Sequence, residues 1–451
     1  MADTIKKRLF SLDANKFIGK HEKTDYVKKE EYVTTFATLM DVKTLRTDDP
    51  TDKPPMYLYD NGYFVRGAET YFKETNYRLF GTLMNRGLNS DLIHRLQAFT
   101  YDDSDYFENP DPYLLNVANG VLNFSKKELL PHSPDYRMTT MLPVKFDPDA
   151  EYGFFEEFVS SIVDGKDCKI IQEMFGYCLL RDYFIQKAFM LTGSGANGKG
   201  VLLYCLMMML GMENCSSVNL VNLTSNRFMM AELHRKYANI SNETPSRKLQ
   251  ETEIFKSLRG GDQISAQRKF GHPFQFINYA KLVFAANKIP STPDETFAFW
   301  RSWIIVKFPH RFVGADCNKN LKYELTTPER LSGILKYSIK GLFRLLENKD
   351  FSYSKSTDDV KEEWQRSADS ALAFISSEIV EKHGGSITTS DILERYHGFC
   401  FEYGLQPEPE IGFWKRWNLH MKSYFPNAMK KQKSGGGKGT YYWRGIAFKN
   451  P

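Results

Sequence analysis

A glycine-rich segment at residues 193–200, GSGANGKG, contains the residue types best suited to binding phosphate. It fits the G-x-x-x-x-G-K pattern of a phosphate-binding loop, in which backbone N–H groups and the lysine ammonium contact the phosphates of a nucleotide. It also fits G-x-G-x-x-G, the turn that binds a dinucleotide. The residues predicted to bind the nucleotide are Gly193, Ser194, Gly195, Ala196, Asn197, Gly198, Lys199 and Gly200.

The residues that follow this segment favour ATP over a dinucleotide. A dinucleotide-binding fold needs an Asp or Glu at the end of its second strand, about 20 residues further on, to bind a ribose hydroxyl. The next strand-like run, SSVNLVNLT, ends without an acid, and Glu213 precedes it. Lys199 directly follows the last glycine, where the phosphate-binding pattern requires a lysine and the dinucleotide pattern does not. A nicotinamide-dependent enzyme remains the alternative.

Gly200 departs from the phosphate-binding pattern, whose next position is normally Ser or Thr with a hydroxyl on Mg²⁺. Mg²⁺ keeps several water ligands and can be bound largely through phosphates. We therefore expect ATP and Mg²⁺ as cofactors, with Mg²⁺ bound without a hydroxyl from the loop.

Polar residues that suit hydrolysis follow the next strand-like run, in YANISNETP. Glu243 is predicted to orient and polarise the attacking water, and Asn242 to contact Mg²⁺ or its water ligands. These two residues are the predicted metal-binding residues. The alternative is that Glu243 begins a helix near Pro245.

Two further residues complete the predicted catalytic group of Lys199, Glu243, Asn287 and Arg301. Asn287 ends the strand-like run LVFAAN, where its amide is suited to contacting the γ-phosphate of ATP. Arg301 lies between aromatic residues in FAFWRSWIIVKFP, from which its guanidinium could reach ATP on an adjacent subunit. An ordinary surface arginine is the alternative.

Two basic segments predict contacts with nucleic acid. The first is the tip of a predicted hairpin, RKFGHP, which combines cations with a ring that can stack on a base. The second is the C-terminal segment 411–451, which contains nine Lys or Arg residues and no Asp or Glu. An exposed hairpin and a solvated basic surface are the alternatives. The predicted DNA-binding residues are Arg268, Lys269, Phe270, His272, Lys415, Arg416, Lys430, Lys431 and Lys438.

The elements that must position these residues indicate an α/β protein. Strand and helix patterns alternate around the glycine-rich segment, beginning with a strand at 184–192 and a helix that ends at Gly211, so we expect a parallel sheet. The first 150 residues mix α and β signals. The polar segment at 348–364 is the predicted linker, and three helices (371–382, 389–403 and 410–424) followed by two strands predict a winged helix.

Composition excludes several other classes of protein. The 451 residues are enough for two to four domains, and the six cysteines form no C-x-x-C pair, so neither a zinc cluster nor a disulfide framework is predicted. The sequence has no signal-peptide pattern and no apolar run long enough to cross a bilayer, which predicts a cytoplasmic protein. The acidic run Asp102, Asp103 and Asp105 is interpreted as a surface loop, with a metal site as the alternative.

The order of these motifs resembles that of superfamily 3 helicases, most closely the helicase part of poxvirus D5-like and phage P4-type primase-helicases. The segments YDNGYF, 114–158 and 170–200 are similar to the D5 N-type domain running into the phosphate-binding loop. The segments ANISNET, LRGGDQISAQRKFGHPFQF, LVFAANKIP and FWRSWIIVKFP are similar, in turn, to the second ATPase motif, the DNA-binding hairpin, the sensor motif and the arginine-finger segment. The resemblance covers about residues 55 to 370. Many relatives have two adjacent arginines in the last segment, where this chain has Arg301 and Ser302.

The resemblance implies an AAA+-like P-loop ATPase core with a mixed α+β N-terminal domain and a C-terminal winged helix. The implied domains are 1–150 (D5 N-type), 151–350 (ATPase) and 351–451 (linker and winged helix). It further implies a hexameric ring that hydrolyses ATP and translocates on single-stranded or forked DNA, 3′ to 5′, in replication of a virus, plasmid or mobile element. A separate primase is an implied partner. The alternative is an ATP-binding initiator or scaffold that does not unwind DNA.

Overall fold

The computed structural model describes residues 2–22, 24–47, 53–108, 110–226, 228–314, 317–432 and 441–449. The chain divides into two compact units, Met1–Phe146 and Asp147–Pro451. Within the described residues, no helix has both the length and the apolar composition that crossing a bilayer requires.

The N-terminal unit combines helices with short strands, most of which pair antiparallel. Its helices are α1 (Ala2–Phe10), α2 (Ala14–Phe17), α3 (Lys29–Met40), α4 (Ala68–Phe80) and α5 (Arg86–Thr100). Its strands are β1 (Ile18–His21), β2 (Thr24–Val27), β3 (Lys43–Leu45), β4 (Met56–Asp60), β5 (Tyr63–Arg66), β6 (Tyr101–Asp102), β7 (Leu114–Val117), β8 (Gly120–Asn123) and β9 (Glu128–Leu130).

Aromatic side chains form much of the core of this unit. The ring of Tyr32 stacks on that of Phe72 at 5.4 Å, and Phe36 packs edge-on against Phe72 at 4.6 Å. A four-stranded sheet, in the order β5-β4-β3-β6, and a three-stranded sheet, in the order β7-β8-β9, complete the unit. The mixed α and β content predicted for this region is therefore confirmed.

The predicted acidic loop of this unit is partly neutralised by cations. Asp102 forms an ion pair with Lys43 at 3.3 Å, and Asp103 forms one with Arg46 at 2.7 Å. These pairs occupy two of the three carboxylates that a metal would need. Asp102 is the last residue of β6, and the predicted surface loop begins after it.

The C-terminal unit contains the remaining elements. Its helices are α6 (Gly153–Ile162), α7 (Gly165–Tyr177), α8 (Lys199–Leu210), α9 (Leu220–Ser225), α10 (Glu253–Gly260), α11 (Phe297–Trp300), α12 (Leu321–Glu324), α13 (Pro328–Asn348), α14 (Thr357–Ala368), α15 (Ser370–Glu378), α16 (Thr389–Glu402) and α17 (Glu410–Tyr424). Its strands are β10 (Ala188–Thr192), β11 (Cys215–Ser216), β12 (Ala238–Ser241), β13 (Gln263–Gln267), β14 (Pro273–Ile277), β15 (Lys281–Ala286), β16 (Trp303–Lys307), β17 (Ile379–Thr388), β18 (Met429–Gln432) and β19 (Tyr441–Phe448).

A five-stranded parallel sheet organises the C-terminal unit, in the order β11-β12-β15-β10-β16. All residues of β10, β12 and β15 are buried, as expected for a parallel sheet with both faces covered. Met190 belongs to the core that contains Trp303 and Trp364, whereas the ring of Phe189, the next residue, packs on Phe351 at 5.4 Å. The predicted α/β class with a parallel sheet is confirmed.

Two smaller antiparallel sheets extend this unit. Strands β13 and β14 form a hairpin around residues 268–272, as predicted. Strands β17, β19 and β18 form a three-stranded sheet whose buried residues share a core with α15, α16 and α17. Helix α17 has the predicted bounds, 410–424.

Three local predictions from the sequence were wrong. The predicted linker contains the start of α14, because Ser356 and Asp359 form a capping box and Trp364 is buried. The predicted helix 371–382 ends at Glu378 and continues as β17, which pairs with β19. The strand-like run SSVNLVNLT is largely helix α9, which begins after an Asn219 side chain that caps it.

Candidate nucleotide-binding site

The predicted phosphate-binding and catalytic residues, except Arg301, follow adjacent strands at one edge of the parallel sheet. Gly193 follows β10, Asn287 follows β15, and Asn242 follows β12. Because these three strands are neighbours and parallel, their carboxyl ends meet at the same edge. Ligands of open α/β sheets bind outside this edge.

The loop between β10 and α8 has the backbone conformation of a phosphate cradle. Gly195 and Gly198 have φ angles of 98° and 85°, and Ala196 has a φ of 51°. Close contacts also restrict the loop, since a Cβ on Gly193 would lie 2.1 Å from the Asn197 amide nitrogen. Helix α8 begins at Lys199, so its free N–H groups and positive dipole end face the loop.

Lys199 is buried and donates hydrogen bonds only to neutral oxygens among the partners that the structure gives it. Its Nζ lies 2.8 Å from the Gly193 carbonyl oxygen, 3.1 Å from Asn197 Oδ1 and 3.4 Å from Asn287 Oδ1. Burial lowers the pKa of Lys199 to about 8. A bound anion would compensate this buried ammonium.

The contact between Lys199 and Asn287 joins two residues that are 88 positions apart in the sequence. It brings the predicted phosphate-binding lysine and the predicted γ-phosphate contact together through the adjacency of β10 and β15. An anion at Lys199 would therefore also lie near the Asn287 amide.

Asn242, Glu243 and Asn287 line one open cleft with a volume of about 550 Å³. The backbone of this segment is fixed by a hydrogen bond from Thr244 N to Ala285 O, 2.9 Å long. Glu243 is exposed, as a residue that contacts water must be. The alternative, in which Glu243 begins a helix near Pro245, does not hold, since the chain remains irregular as far as Thr252.

The same cleft is lined by two cations that sequence reasoning missed, Arg247 and Lys288. Lys288 forms an ion pair with Glu408, which also contacts Arg416 at 3.1 Å. Lys288 directly follows Asn287, and this position beside a predicted strand end is the signal that could have identified it.

The donor set at this edge fits Mg²⁺ that is bound together with phosphates. Asn242 and Glu243 offer oxygen atoms, which Mg²⁺ prefers. Among the described residues, no group of three or more His, Cys, Asp or Glu side chains could hold a metal. These residues would therefore complete the ligand shell of a Mg²⁺ held mainly by phosphate and water.

Gly200 lies in open space in the first turn of α8. No heavy atom outside its own helix turn lies within 4 Å of a Cβ built on it. A serine or threonine would fit, so packing does not explain the missing hydroxyl.

Residues 308–312 form a second segment that sequence reasoning missed. This segment contacts the phosphate-binding loop. Phe312 N donates to Ala196 O at 2.7 Å, and Asn197 Nδ2 donates to Phe308 O at 3.4 Å. His310 and Arg311 are exposed between these contacts. The signal for this segment is its position directly after β16, the strand beside β10.

Arg301 lies at the opposite edge of the sheet from Lys199. It precedes β16, whose first residue, Trp303, is the register partner of Ala188 at the start of β10. The length of β10 therefore separates Arg301 from the loop, roughly 13 Å at 3.3 Å per residue. Arg301 is not part of its own chain's phosphate site.

The predicted DNA-binding hairpin presents its tip to solvent. Phe270 is 96% exposed with a φ of 64°, and Lys269 Nζ lies 5.2 Å from the centre of its ring. The guanidinium of Arg268 lies over the Phe274 ring, and His272 is exposed. An ammonium group and an aromatic ring thus lie side by side at the exposed tip of the hairpin.

The predicted DNA-binding residues of the C-terminal segment differ in their surroundings. Lys415 on α17 and Lys431 on β18 are exposed, and Lys430 Nζ lies 4.6 Å from the centre of the Tyr441 ring. Arg416 forms ion pairs with Asp369 at 2.7 Å and with Glu408, so two carboxylates offset its charge. Lys438 lies outside the described residues.

Two families match parts of this chain. Residues 72–164 match the family described as D5 N terminal like, and residues 191–301 match a family of unknown function (DUF5906). The second match contains the phosphate-binding loop, Glu243, Asn287 and the hairpin. The first overlaps the predicted D5 N-type region and supports a relationship to that family.

The chain also resembles a curated viral protein and a solved structure. It is 23% identical, over 257 residues, to the putative helicase L207/L206 of Acanthamoeba polyphaga mimivirus, covering 54% of this chain and 27% of that protein. The A form apo structure of the NrS-1 C-terminal region has a TM-score of 0.45 and 11% identity, covering 93% of this chain and 98% of that one. The D5 match and the viral relative support a relationship to D5-like helicase proteins, while the chain spans about a quarter of that relative's length.

Proposed function

We propose that this chain is the ATP-hydrolysing helicase part of a DNA replication protein of the D5-like kind. The observation that carries this proposal is the contact between Lys199 and Asn287 at the carboxyl edge of the parallel sheet. That contact places a buried cation and an amide from two adjacent strands at the N-terminus of α8. A nucleoside triphosphate is the anion that could contact the ammonium, the amide and the helix N-terminus together.

In the proposed mechanism, Lys199 exchanges its bonds with Gly193 and Asn197 for bonds with phosphate oxygens. Asn287 donates from its amide to the γ-phosphate. Glu243, exposed in the same cleft, accepts a hydrogen bond from water and orients it for attack. Mg²⁺, when bound beside Asn242 and Glu243, neutralises charge on the phosphates.

Several finer features belong to the same proposal. The strand order, with the loop strand β10 between β15 and β16, supports an AAA+-like core of superfamily 3. The three helices and the sheet of residues 370–448 support a winged helix. Arg301, at the edge away from its own loop, supports a ring in which each subunit completes its neighbour's site. A hexamer moving 3′ to 5′ on single-stranded or forked DNA follows from the family resemblance.

The experiment that tests this function measures ATPase activity with and without forked DNA. Lys199→Ala should abolish turnover, since the buried ammonium is the main phosphate contact. Lys126→Ala, which changes an exposed lysine of the N-terminal unit, is the matched control and should leave turnover unchanged. Unimpaired DNA-stimulated turnover in Lys199→Ala would refute the assignment.

A second candidate is an ATP-binding initiator or scaffold without productive unwinding. The absence of a hydroxyl at Gly200 is the observation that favours it, since the loop then offers Mg²⁺ one ligand fewer. Tight ATP binding with neither hydrolysis nor strand separation on a fork would select this candidate.

A further inference from the structure

Strand β18 lies at an edge of the three-stranded sheet near the C-terminus. The order of this sheet is β17-β19-β18, so among the described strands β18 pairs with β19 alone. All four residues of β18 are exposed. In an antiparallel pair, every second residue directs its N–H and C=O away from the partner strand. The free side of β18 therefore offers backbone donors and acceptors to an added strand.

A groove with a volume of about 510 Å³ lies beside β18, on the face of the sheet away from the helices. Met429 and Lys431 of β18, Arg444 of β19 and His383 of β17 are among the residues that line it. Arg444 is the register partner of Met429, whereas Trp443, the preceding residue, is buried in the core that the sheet shares with the helices. The groove is therefore separate from that core.

A bulge in β17 forms the other wall of the groove. Between the register pairs that Glu381 and Ser386 make with β19, the residues 382–385 lie opposite Gly445 alone. Bulges of this kind redirect side chains out of the regular strand pattern. Here the bulge brings His383 to the groove. The bulge and β18 thus enclose the groove from two sides.

Basic side chains predominate around this groove. Lys431 and Arg444 are exposed, and in the part of the chain that the structure describes neither forms an ion pair. His383 adds a third basic side chain. Among the described lining residues, Glu381 is the one carboxylate, and it accepts a hydrogen bond from Asn427 Nδ2 at 3.3 Å. The groove therefore favours an anionic group.

We propose that β18 pairs with an extended acidic segment of another protein, which adds a fourth strand to this sheet. The backbone of that segment pairs with the outward N–H and C=O groups of β18. Because side chains alternate between the faces of a strand, every second residue of the segment points to the groove side. Acidic side chains at these positions extend toward Lys431 and Arg444. The inference concerns a protein partner and does not rest on ATP hydrolysis.

The opposite face of β18 is suited to apolar residues of the added strand. Lys430 Nζ lies 4.6 Å from the centre of the Tyr441 ring and 5.7 Å from that of Trp414 on α17. These rings already stabilise the ammonium group. The partly buried Trp414 also provides apolar surface. The segment that fits this edge therefore alternates acidic residues toward the groove with apolar residues toward α17.

The free backbone groups of β18 favour a peptide over a nucleic acid. Lys430 and Lys431 are predicted DNA-binding residues, and phosphates would satisfy their charge. A nucleic acid strand, however, has no alternating N–H and C=O groups that match the edge of a sheet. Lysines on an edge strand also oppose pairing with neutral or basic strands, so they select an acidic one.

The first test measures binding of a short fluorescent peptide, in which Glu and Val alternate, to the full chain by fluorescence anisotropy. Its matched control has the same sequence with N-methyl groups on its two central residues, whose N–H groups face opposite edges. N-methylation keeps every charge but prevents pairing in either strand orientation. The unmodified peptide should bind, and the N-methylated peptide should bind about 10-fold more weakly because it loses backbone hydrogen bonds.

The second test changes the cations of the groove. The double variant Lys431→Glu/Arg444→Glu should bind the unmodified peptide about 10-fold more weakly than the wild type, since two attractive contacts become repulsive. The matched control is Lys415→Glu/Lys422→Glu, which makes the same change in charge at exposed positions of α17. Its affinity for the peptide should stay within about 2-fold of wild type. Equal midpoints of thermal unfolding would show that both variants are folded.

Three results would overturn the inference. Equal affinity for the two peptides would exclude strand pairing, and equal losses in the two double variants would show a general effect of charge. The third is absence of binding by the unmodified peptide at millimolar concentration. If the groove variant then also loses binding of labelled single-stranded DNA, its cations belong to a nucleic acid site instead.

Discussion

At the scale of single residues, the buried ammonium of Lys199 determines what the candidate site can bind. Its hydrogen bonds go to neutral oxygens of Gly193, Asn197 and Asn287, and burial lowers its pKa to about 8. An isolated buried charge is costly unless it is paired. The loop is thus prepared for a phosphate, which would replace these weaker partners.

The lowered pKa of Lys199 predicts proton uptake when nucleotide binds. A bound phosphate favours the ammonium and raises the pKa, so the free protein must take up a proton wherever Lys199 is partly neutral. The affinity for ATP should be constant well below pH 8 and should fall as the pH rises above 8. Calorimetry at pH 8.5, in buffers of different ionisation enthalpy, should detect this uptake. At pH 6.5 Lys199 is already protonated and should contribute none, so equal uptake at both values would contradict the prediction.

Gly200 gives a second prediction at this scale. Gly200→Ser should lower the Mg²⁺ concentration that half-maximal ATPase activity requires, because the new hydroxyl lies where a phosphate-binding loop normally provides one. Gly200→Ala is the matched control, since it fills the same open space without a hydroxyl. Alanine should only stabilise α8, by less than the ~1 kcal/mol that the same change gives in a helix interior. Identical Mg²⁺ dependence in the two variants would show that a hydroxyl here does not reach the metal.

At the scale of elements, the parallel sheet and the β13–β14 hairpin separate two kinds of chemistry. Neighbouring strands bring the loop, Asn287 and Glu243 to one edge, whereas the hairpin carries a cation and an exposed ring at its own tip. Its strands pair from Gln263 to Ile277 and hold the tip in place. Changes at the tip should therefore impair the interaction with DNA and leave ATP hydrolysis unchanged.

The hairpin predicts a loss of unwinding without a loss of basal ATPase activity. Lys269→Ala should abolish strand separation on a fork, and Phe270→Ala should do the same by removing the exposed ring. Gln263→Ala, an exposed change at the base of the same hairpin, is the matched control. Fork unwinding and DNA-free ATPase assays measure the two effects. Intact unwinding in Lys269→Ala would exclude this lysine from the DNA path.

At the scale of the C-terminal unit, charged side chains link the candidate nucleotide cleft to the final helices. Lys288 lines the cleft and pairs with Glu408, which also contacts Arg416 on α17, and Arg416 continues to Asp369. His420 also contacts Asp369 at 2.9 Å. Burial raises the pKa of Asp369, but hydrogen bonds from Leu372 N, His420 and Arg416, together with the charge of Arg416, hold it below its usual value. The network is a physical route between the cleft and the predicted winged helix.

Glu408→Gln should destabilise this connection. The change leaves Lys288 and Arg416 without their shared carboxylate and should cost about 1 to 2 kcal/mol, between the values for exposed and buried pairs. Thermal unfolding should show a lower midpoint than in Glu402→Gln, an exposed change on α16 that serves as the matched control. Equal midpoints would show that the ion pairs add no stability.

Much of the site was predictable because it depends on local order along the chain. Strand, loop and helix signals located Lys199, Asn287 and Glu243, and a run of polar tip residues located the hairpin. The predictions from the sequence failed where contacts with residues far away in the chain override the local sequence pattern. The segment 379–382 continues a helical pattern in the sequence, yet it belongs to a strand that pairs with β19, more than 60 residues later. Arg416 was predicted to contact DNA, but the fold places the carboxylates of Asp369 and Glu408 beside it.

The sequence by itself determined the α/β class, the phosphate-binding pattern and the departure at Gly200, because these depend on residue types at fixed short spacings. Only the tertiary structure decided which side chains share an edge of the sheet. Strand order and register place Asn287 beside Lys199, and they place Arg301 beside Lys187 at the other edge. Such contacts arise from pairing between strands that are far apart in the chain, and no local pattern records which strands will be neighbours.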